Sequence, residues 1–410
     1  MSEILFLAHR IPYPPNKGDK IRSWRWLESL TQRHRVHLGA FIDDSGDWQH
    51  TAHLEKLCVS CHFEAVQPAA SRLRALRGAL FGKSLTEGIY ASPGMRRFVS
   101  STVAATQLDA AFGFSSGVAP FLLDLVPRGV RKVLDLCDVD SDKWSQFAAT
   151  EPAPMSWVYR YEHRRLAVAE RRWVAQCDAV LVVSRGERTL LERVVGPRSN
   201  VFVVGNGVDS DYFDPAVAHP NPYAADALPV VFTGAMDYGA NVEAVEWFVH
   251  EILPPVRTAE PRAVFAIVGS NPAERVTRLA QKEGVIVTAA VPDVRPYIQH
   301  ARCVAVPLRI ARGIQNKLLE AMSMSRPIVA TPESVAGLGA LDPEILEVRS
   351  EPRAFAAAIV RHLKQRSADN VRARAHVLAH FEWRLATAEF LEQVLPACLY
   401  DRPFAVGSAP

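Results

Sequence analysis

Short runs of consecutive apolar residues recur along the chain, and longer stretches with helical or loop patterning separate them. The first half carries these runs at 3–8, 36–42, 110–114, 133–136, 179–183 and 201–204. The second half carries them at 230–233, 264–268, 285–287, 303–306 and 328–330. Strands that are apolar throughout are typical of parallel sheets covered by helices on both faces. The pattern predicts two doubly wound α/β halves, with ligands bound beyond the carboxyl ends of the strands, in a cleft between the halves.

A polar, proline-bearing stretch separates the two halves. It follows Asn206-Gly207-Val208-Asp209, extends to Pro229, and predicts a linker. The length of 410 residues also favours two domains, because one hydrophobic core seldom organises so long a chain. We therefore expect a first domain over 1–207 and a second over 208–375. Residues 371–395 are predicted to be helical.

The amino-acid composition indicates a globular protein and gives no sign of several other classes. The chain is 49% hydrophobic and 22% charged, as in globular proteins, and its net charge of +3 gives no reason to expect nucleic acid as a partner. Six unevenly spaced cysteines do not form a disulfide framework, and Cys58-x-x-Cys61 lacks a second pair at zinc spacing. No apolar run approaches the ~20 residues that span a bilayer, and no signal segment opens the sequence. We expect a cytoplasmic protein.

The segment 307–330 carries the clearest candidate chemistry. A strand end leads into a polar loop with Arg309, Arg312 and Gly313, and then into a helix that opens near 314 and carries Lys317 and Glu320. Helix amino termini and basic side chains both favour a phosphate. Lys317 and Glu320 lie three positions apart, so the lysine can meet a diphosphate while the glutamate accepts ribose hydroxyls. By themselves these residues fit a surface salt pair equally well.

Two further loops follow predicted strands of the first half. Lys17-Gly18-Asp19 follows the first strand, and its glycine allows close approach of backbone to a ligand. The exit of the strand at 133–136 is crowded with carboxylates, which point into the predicted cleft. These are Asp135, Asp138, Asp140 and Asp142. Asp138-x-Asp140 is also the spacing of some metal-binding motifs, and residues 138–141 are of types that commonly cap a helix.

A basic amphipathic stretch covers 71–83. Arginines and a lysine alternate there with large apolar side chains at helical spacing, in the order Arg72, Leu73, Arg74, Leu76, Arg77, Leu80, Phe81 and Lys83. Such a helix can lie on an anionic membrane, although an ordinary surface helix has the same pattern. The longer helix predicted at 155–174 is also rich in charge, and we expect most of that charge to form a solvated face.

Several segments together resemble one family. Residues 313–329, GIQNKLLEAMSMSRPIV, are similar to the donor-binding signature of glycosyltransferase family 4, whose members have the two-domain GT-B fold. Matching segments lie at 206–209 with Phe213, at 232–234 with Met236, Asp237, Tyr238 and Asn241, and at 268–269 and 291–294. Through 11–15 and 17–20 the first half resembles the subgroup associated with bacterial exopolysaccharide and exosortase systems.

The resemblance implies a set of site residues. The implied donor-binding residues are Lys17, Gly18, Asp19, Gly234, Asn241, Gly269, Val291, Asp293, Arg309, Gly313, Ile314, Gln315, Asn316 and Glu320. The implied catalytic residues are Asp138 or, alternatively, Asp140, together with Arg312 and Lys317. Arg312 stands where the family has a glutamate, and the family's basic pair after the first strand of the second half is missing. We expect Arg309, Arg312 and Lys317 to neutralise the diphosphate instead.

The implied activity is transfer of a sugar, with retention of anomeric configuration, from a nucleotide diphosphate sugar to a saccharide or lipid-linked saccharide. No metal or other cofactor is expected, and the 376–410 segment is expected to cross back to the first domain. The membrane contact predicted for 71–83 would place the protein at the inner face of the membrane. Two other functions stay open: a sugar-nucleotide epimerase of the same fold, and a sugar-nucleotide-binding protein without activity.

Overall fold

The computed structural model describes residues 1–311, 313–339, 341–365 and 369–395, which form two parallel-sheet α/β units. Of the described residues, unit 1 comprises Met1–Val204 and 387–395, and unit 2 comprises those within Gly205–Ala386. The prediction of two α/β halves with parallel sheets is confirmed.

Unit 1 is built on a seven-stranded parallel sheet in the order β3-β2-β1-β4-β5-β6-β7. Its strands are β1 Glu3–Ala8, β2 Arg35–Ile42, β3 Ser60–Ala65, β4 Ala110–Phe114, β5 Arg131–Cys137, β6 Ala179–Val182 and β7 Val201–Val203. Its helices are α1 Gly18–Thr31, α2 Thr51–Leu57, α3 Pro68–Leu80, α4 Leu85–Tyr90, α5 Pro93–Ala105, α6 Ala119–Leu125, α7 Asp140–Thr150, α8 Met155–Gln176 and α9 Arg185–Val195.

Unit 2 repeats this plan with a six-stranded parallel sheet in the order β10-β9-β8-β11-β12-β13. Its strands are β8 Leu228–Thr233, β9 Ala263–Val268, β10 Val285–Val287, β11 Cys303–Val306, β12 Ile328–Ala330 and β13 Glu347–Val348. Its helices are α10 Gly239–Trp247, α11 Leu253–Ala259, α12 Glu274–Leu279, α13 Arg295–Gln299, α14 Asn316–Ser323, α15 Pro332–Val335, α16 Pro352–Lys364 and α17 Val371–His380. The last helix, α18 Trp383–Val394, begins in unit 2 and continues into unit 1.

The central strands explain why apolar runs located the sheets so well. Strand β1 pairs in parallel with β2 on one side and β4 on the other, so Ile4 lies beside both Val36 and Ala110. Helices cover both faces of such a sheet, so successive side chains are buried whichever way they point. Strand β8 occupies the same central position in unit 2 and is buried along its length.

The apolar pattern missed two edge strands. Strand β3 has the sequence SCHFEA and is only half-buried, because a partner strand covers it on one side alone. Strand β13 contains just two residues, one of them Glu347. Polar side chains interrupt β3 and β13, so these two strands lack the continuous apolar run that located the other edge strands, β7 and β10.

The predicted linker is wrong in part, because its start packs onto unit 2. Phe213 and Tyr223 are buried in the unit 2 core, and the Ser323 hydroxyl donates to the Phe213 carbonyl at 2.9 Å. The predicted helix over 371–395 is also interrupted. The Phe381 carbonyl accepts from Val208 N at 2.7 Å, and Glu382 forms an isolated bridge with Val208, so α17 ends before α18 begins.

Candidate functional site

Strand order reverses between β8 and β11 in unit 2, and this reversal opens a crevice at the carboxyl ends of both strands. Gly234 follows β8 directly, and the loop after β11 leads through Gly313 into α14. Gly269 follows β9, while Val291 and Asp293 lie in the loop after β10. The predicted donor residues of the second half that the structure describes therefore share one edge of the sheet, here called the unit 2 carboxyl edge.

Two glycines let the backbone close tightly at this edge. A Cβ on Gly269 would lie 1.7 Å from the Gly234 carbonyl oxygen, a distance that no side chain can occupy. A Cβ on Gly234 would lie 2.8 Å from the Asn241 amide nitrogen and 3.1 Å from Lys317 Nζ. The glycines thus leave room for both polar side chains at the end of β8.

Lys317 reaches from α14 into this space. Its Nζ donates to the Asn241 side-chain oxygen at 2.7 Å and lies 4.0 Å from the centroid of the Phe232 ring. The Asn241 amide nitrogen in turn donates to the Ala235 carbonyl at 2.9 Å, which orients the amide oxygen toward the lysine. Sequence reasoning assigned Lys317 and Asn241 to one site. It placed Phe232 in a segment that resembles the family but did not name it as a site residue.

Lys317 and Glu320 are half-buried neighbours on α14. Burial lowers the pKa of Lys317 to about 7, with the Glu320 carboxylate opposing the shift. Burial likewise raises the pKa of Glu320 to about 7, with Lys317 opposing. Desolvation therefore exceeds the attraction between the two charges. This is not the behaviour of the solvated salt pair that the sequence also allowed, and an anion arriving at Lys317 would favour its charged form.

The loop before α14 is shaped by further backbone contacts. Gly313 has a φ of 60°, and its carbonyl oxygen would lie 2.0 Å from a Cβ on Gly337. Ile314 packs against the unit 2 core, and Gln315 is the residue immediately before the helix. The Asn316 side-chain oxygen accepts from the Asn206 amide at 3.4 Å.

Of the two arginines predicted to bind phosphate in this loop, the structure describes Arg309 but not Arg312. Arg309 is exposed and lies 3.3 Å from the Glu243 carboxylate of α10 and 5.8 Å from the Trp247 ring centroid. Its phosphate contact stays a prediction. Arg312 lies outside the described residues.

Asp293 is held by an arginine that the sequence reasoning missed. Arg295 donates to both Asp293 carboxylate oxygens, and its guanidinium lies 3.7 Å from the Tyr212 ring centroid. Burial would raise the pKa of Asp293, but the hydrogen bonds from Arg295 keep it below the usual value. Val291, two residues before Asp293, packs its side chain against the unit 2 core. A ligand at this turn would therefore meet the backbone of Val291.

The corresponding carboxyl edge of unit 1 is crossed by ion pairs. Arg10 donates to Asp43 at 2.8 Å and also pairs with Asp19, and His9 Nε2 lies 3.5 Å from the same Asp19 carboxylate. Burial alone would raise the pKa of Asp19, but His9 and Arg10 together hold it well below its usual range. Asp19 is thus an ionised side chain paired with the Arg10 guanidinium. Lys17 is the residue before α1, and Gly18 is the exposed first residue of that helix.

Tyr90 closes one side of this cluster. Its ring lies 6.1 Å from His9, and a Cβ on Gly117 would be only 2.5 Å from Tyr90. Burial raises the pKa of Tyr90 to about 12, with Arg10 opposing and the carboxylates of Asp43 and Asp140 adding to the shift. Neither His9 nor Tyr90 was singled out from the sequence, since single residues after a strand or a helix have no distinctive spacing.

The two candidate catalytic carboxylates follow β5. Cys137 has a φ of 58°, a conformation that costs energy outside glycine, and it turns the chain so that Asp138 N bonds to the Leu136 carbonyl at 2.8 Å. Asp140 starts α7, accepts from the Ser116 hydroxyl and lies 3.9 Å from Lys143 Nζ. Both carboxylates lie at the unit 1 carboxyl edge.

Asp135 does not belong to this group, so the prediction that it points into a cleft is wrong. It is fully buried, and it accepts from Arg22 Nε at 2.8 Å and from the Trp26 indole at 2.9 Å. Its side chain meets helix α1, where a buried charge requires a partner.

Helix α7 is not capped in the way the sequence allowed. Val139 precedes it and provides no side-chain cap. Instead Glu187 accepts from Val139 N at 2.8 Å, and Glu170 accepts from Ser141 N at 3.0 Å. Two glutamates from other helices therefore accept from backbone amides at the start of α7.

The cysteine pair shows no reactive character. A hydrogen bond with Cys61 and burial both raise the thiol pKa of Cys58, which disfavours the thiolate that metals and electrophiles need. Among the described residues, no group of three His, Cys, Asp or Glu side chains is placed to hold a metal ion. None of the helices in that part of the chain is both long and apolar enough to cross a membrane.

Comparison with known proteins identifies the fold. Residues 228–365 match the family model described as Glycosyl transferases group 1, so that model covers most of unit 2. No curated protein sequence matches the chain.

Solved structures resemble nearly its whole length at low identity. HepE from Anabaena, in complex with UDP and glucose, is 15% identical, with a TM-score of 0.65 over 96% of this chain and 99% of that one. Sucrose-phosphate synthase from Thermosynechococcus elongatus is 17% identical, with a TM-score of 0.69 over 95% and 97%. A TarM variant of S. aureus is 10% identical, with a TM-score of 0.64 over 96% and 100%. The fold is that of GT-B glycosyltransferases, as predicted.

Proposed function

We propose that this protein is a glycosyltransferase that moves a sugar from a nucleotide diphosphate sugar to a saccharide or lipid-linked saccharide. The observation that carries the proposal is the meeting of Lys317, Asn241 and Glu320 at the unit 2 carboxyl edge. These residues lie within the segment that matches the group 1 glycosyltransferase model. The match to HepE, solved with UDP-glucose, supports a sugar nucleotide as the ligand.

The chemistry requires that the leaving nucleoside diphosphate be stabilised as the glycosidic bond breaks. We expect Lys317 to meet that charge, because its hydrogen-bond partner is a neutral amide that a phosphate oxygen can replace. The start of α14 adds backbone N–H donors beside it. In our proposal Glu320 accepts the ribose hydroxyls, while Arg309 and Arg312 supply the remaining positive charge and no metal ion takes part.

The finer parts of the proposal concern unit 1 and the pathway. Asp138, or alternatively Asp140, orients the reacting sugar or the acceptor, and transfer retains the anomeric configuration. The similarity of 11–20 to exopolysaccharide-associated members of family 4 supports a role in cell-surface glycan synthesis. A lipid-linked acceptor would place the protein at the cytoplasmic face of a membrane.

The test begins with a panel of nucleotide diphosphate sugars, including UDP-glucose, and measures thermal stabilisation of the protein. A ligand at 100 times its Kd stabilises the folded state by about 2.7 kcal/mol, which raises Tm measurably. The stabilising donor is then incubated with saccharide acceptors, and the product's anomeric configuration is read by NMR. Formation of an epimer would replace this proposal with the epimerase, and tight binding without turnover would replace it with the inactive binding protein.

A matched pair of variants links the activity to the site. Lys317→Met removes the charge and keeps the length of the side chain, and we expect it to abolish donor stabilisation. Lys282→Met makes the same change at an exposed position of unit 2 and should behave like the unaltered protein. Equal donor binding by both variants would show that the diphosphate does not bind at Lys317.

A further inference from the structure

Helix α3 of unit 1 exposes its largest apolar side chains. Leu73, Leu76 and Leu80 are 70%, 64% and 85% exposed, and Phe81 after the helix is 77% exposed. Their spacing of three, four and one residues aligns them along one side of the helix. Single exposed leucines are common, but a contiguous apolar stripe marks a binding surface.

The inner side of α3 explains why the leucines face outward. Ser71 and Ala75 are buried, and a Cβ on Gly88 of α4 would lie 2.5 Å from the Ala75 Cα. Helices α3 and α4 therefore approach so closely that only small residues fit between them. The usual arrangement of an amphipathic helix is inverted, because its small side chains form the packed face.

Helix α8 lies beside the exposed leucines of α3 and adds positively charged side chains to the same surface. Residues 68–91 and 155–172, all of them described, contain three carboxylates, and all three are buried: Glu87, Glu162 and Glu170. Glu162 caps the start of α4 by accepting from Thr86 N at 2.9 Å, and Glu170 caps α7. Because these interior contacts use the acidic side chains, the outer side of α8 presents arginines beside Trp157 and Val168.

Hydrogen bonds join the two helices into one surface. The Tyr161 hydroxyl of α8 lies 3.0 Å from the Ala79 carbonyl and 2.9 Å from the Lys83 carbonyl. Arg165 lies within 3.5 Å of the position a Cβ would take on Gly82. The exposed leucines of α3 and a groove along α8, lined by Trp157, Arg160, Tyr161, Arg164, Arg165 and Val168, are thus neighbours.

We propose that α3, the 81–84 loop and the outer side of α8 form one docking surface for an anionic lipid bilayer. The leucines, Phe81 and Trp157 enter the boundary between headgroups and acyl chains, while Arg72, Arg77, Lys83 and the α8 arginines bind lipid phosphates. This extends the contact expected for 71–83 to a surface with two helices. It does not depend on the proposed sugar transfer.

The combination of side chains favours a bilayer over other anionic partners. Nucleic acid would satisfy the arginines but would leave the leucine stripe in water. A second copy of the chain would bury the leucines but would bring two arginine-rich surfaces together. A bilayer with anionic headgroups accommodates both features, because its interface offers phosphate groups above an apolar layer.

The test is co-sedimentation of the full chain with vesicles, without donor or acceptor. We expect binding to vesicles of phosphatidylcholine with 30 mol% phosphatidylglycerol, weaker binding as salt rises, and little binding to phosphatidylcholine alone. Since each basic residue contributes about a fivefold factor in affinity, Arg72→Gln, Arg77→Gln and Arg164→Gln together should weaken binding by about 100-fold. The matched control changes three exposed unit 2 arginines, Arg278, Arg353 and Arg372, to glutamine and should bind as the unaltered protein does.

A second variant tests the apolar stripe. Leu73→Ser, Leu76→Ser and Leu80→Ser together should reduce vesicle binding at least tenfold and leave Tm unchanged, because the leucines are not packed in the core. Unchanged binding by either triple variant overturns the proposal, as does equal binding to neutral vesicles. Light scattering without lipid that shows the leucine variant converting a dimer to a monomer would assign the surface to self-association instead. These outcomes are independent of whether the protein transfers a sugar.

Discussion

The charged side chains at the carboxyl edges of the two sheets have different kinds of partner. In unit 1 the carboxylates have cations beside them: Asp19 and Asp43 share Arg10, and Asp135 is buried with Arg22. In unit 2 the central cation, Lys317, has a neutral amide as its hydrogen-bond partner and a glutamate whose pKa is raised to about 7. Strand order is equivalent in the two sheets, so topology does not explain the difference.

The two edges of one fold are therefore suited to different ligand groups. A diphosphate needs positive charge that is not already neutralised, and the unit 2 edge provides it next to backbone packed tightly at glycines. The unit 1 edge is balanced internally, which suits neutral hydroxyl-bearing ligands better than anions. Four changes test this division, in order of decreasing expected effect.

Asp135→Asn tests whether the unit 1 edge depends on its buried ion pair. The change leaves the Arg22 guanidinium buried beside a neutral amide, and we expect a loss of about 3–5 kcal/mol in the free energy of unfolding. Urea unfolding followed by tryptophan fluorescence measures it. Asp124→Asn, at an exposed ion pair with Arg96, should cost no more than about 0.5 kcal/mol. A loss below about 1 kcal/mol at Asp135 would show that the pair is structurally dispensable.

Asp138→Asn tests which unit 1 carboxylate serves the reaction. If Asp138 faces the reacting carbon, kcat/KM for sugar transfer should fall about 100-fold while donor Kd stays the same, because a charge-stabilising group is lost in the transition state. In that case Asp140→Asn should reduce kcat/KM no more than about tenfold, because Asp140 would not contact the reacting carbon. The reverse ranking in steady-state kinetics would transfer the role to Asp140.

Gly269→Ala tests the backbone packing of the unit 2 edge. The added methyl group would meet the Gly234 carbonyl oxygen at 1.7 Å, so we expect about 1–3 kcal/mol of destabilisation together with loss of donor stabilisation. Gly239→Ala, where nothing lies within 4 Å of the added carbon, is the matched control and should be neutral. Thermal melts with and without UDP-glucose give both quantities, and identical melts for the two variants would contradict the close contact.

The pH dependence of donor binding tests the uncompensated charge. Above pH 7 Lys317 is increasingly neutral, so binding must take up a proton, and the Kd for UDP-glucose should rise up to tenfold per pH unit. Below pH 7 Glu320 becomes protonated and accepts ribose hydroxyls less well, so affinity should also decline there. Calorimetry between pH 5.5 and 9 measures the profile, which is expected to peak near pH 7. Glu320→Gln should remove the acidic limb and move the basic limb to lower pH, because the Glu320 carboxylate raises the pKa of Lys317. A flat profile would contradict the assignment of both groups.

Much of the fold could be predicted because the central strands of a parallel sheet are apolar on both faces. The sequence also placed Gly234 and Gly269 directly after strands, and Lys317 and Glu320 on the helix that follows β11, since loops after parallel strands share one edge. Residues whose role depends on distant partners could not be predicted. Nothing near Phe232 in sequence shows that a lysine 85 positions later lies over its ring.

Helix α8 shows most clearly what could not be predicted from the sequence. Its sequence determined a helix with two glutamates among many arginines, which we expected to be a solvated face. In the folded chain both glutamates turn inward to cap α4 and α7, and α3 turns its leucines outward, neither of which follows from the local sequence. Composition and periodicity determine that a helix has two sides. Which side is buried depends on the free energy of packing against neighbours that are distant in sequence, here the small residues between α3 and α4 and the unsatisfied amides of two helix ends.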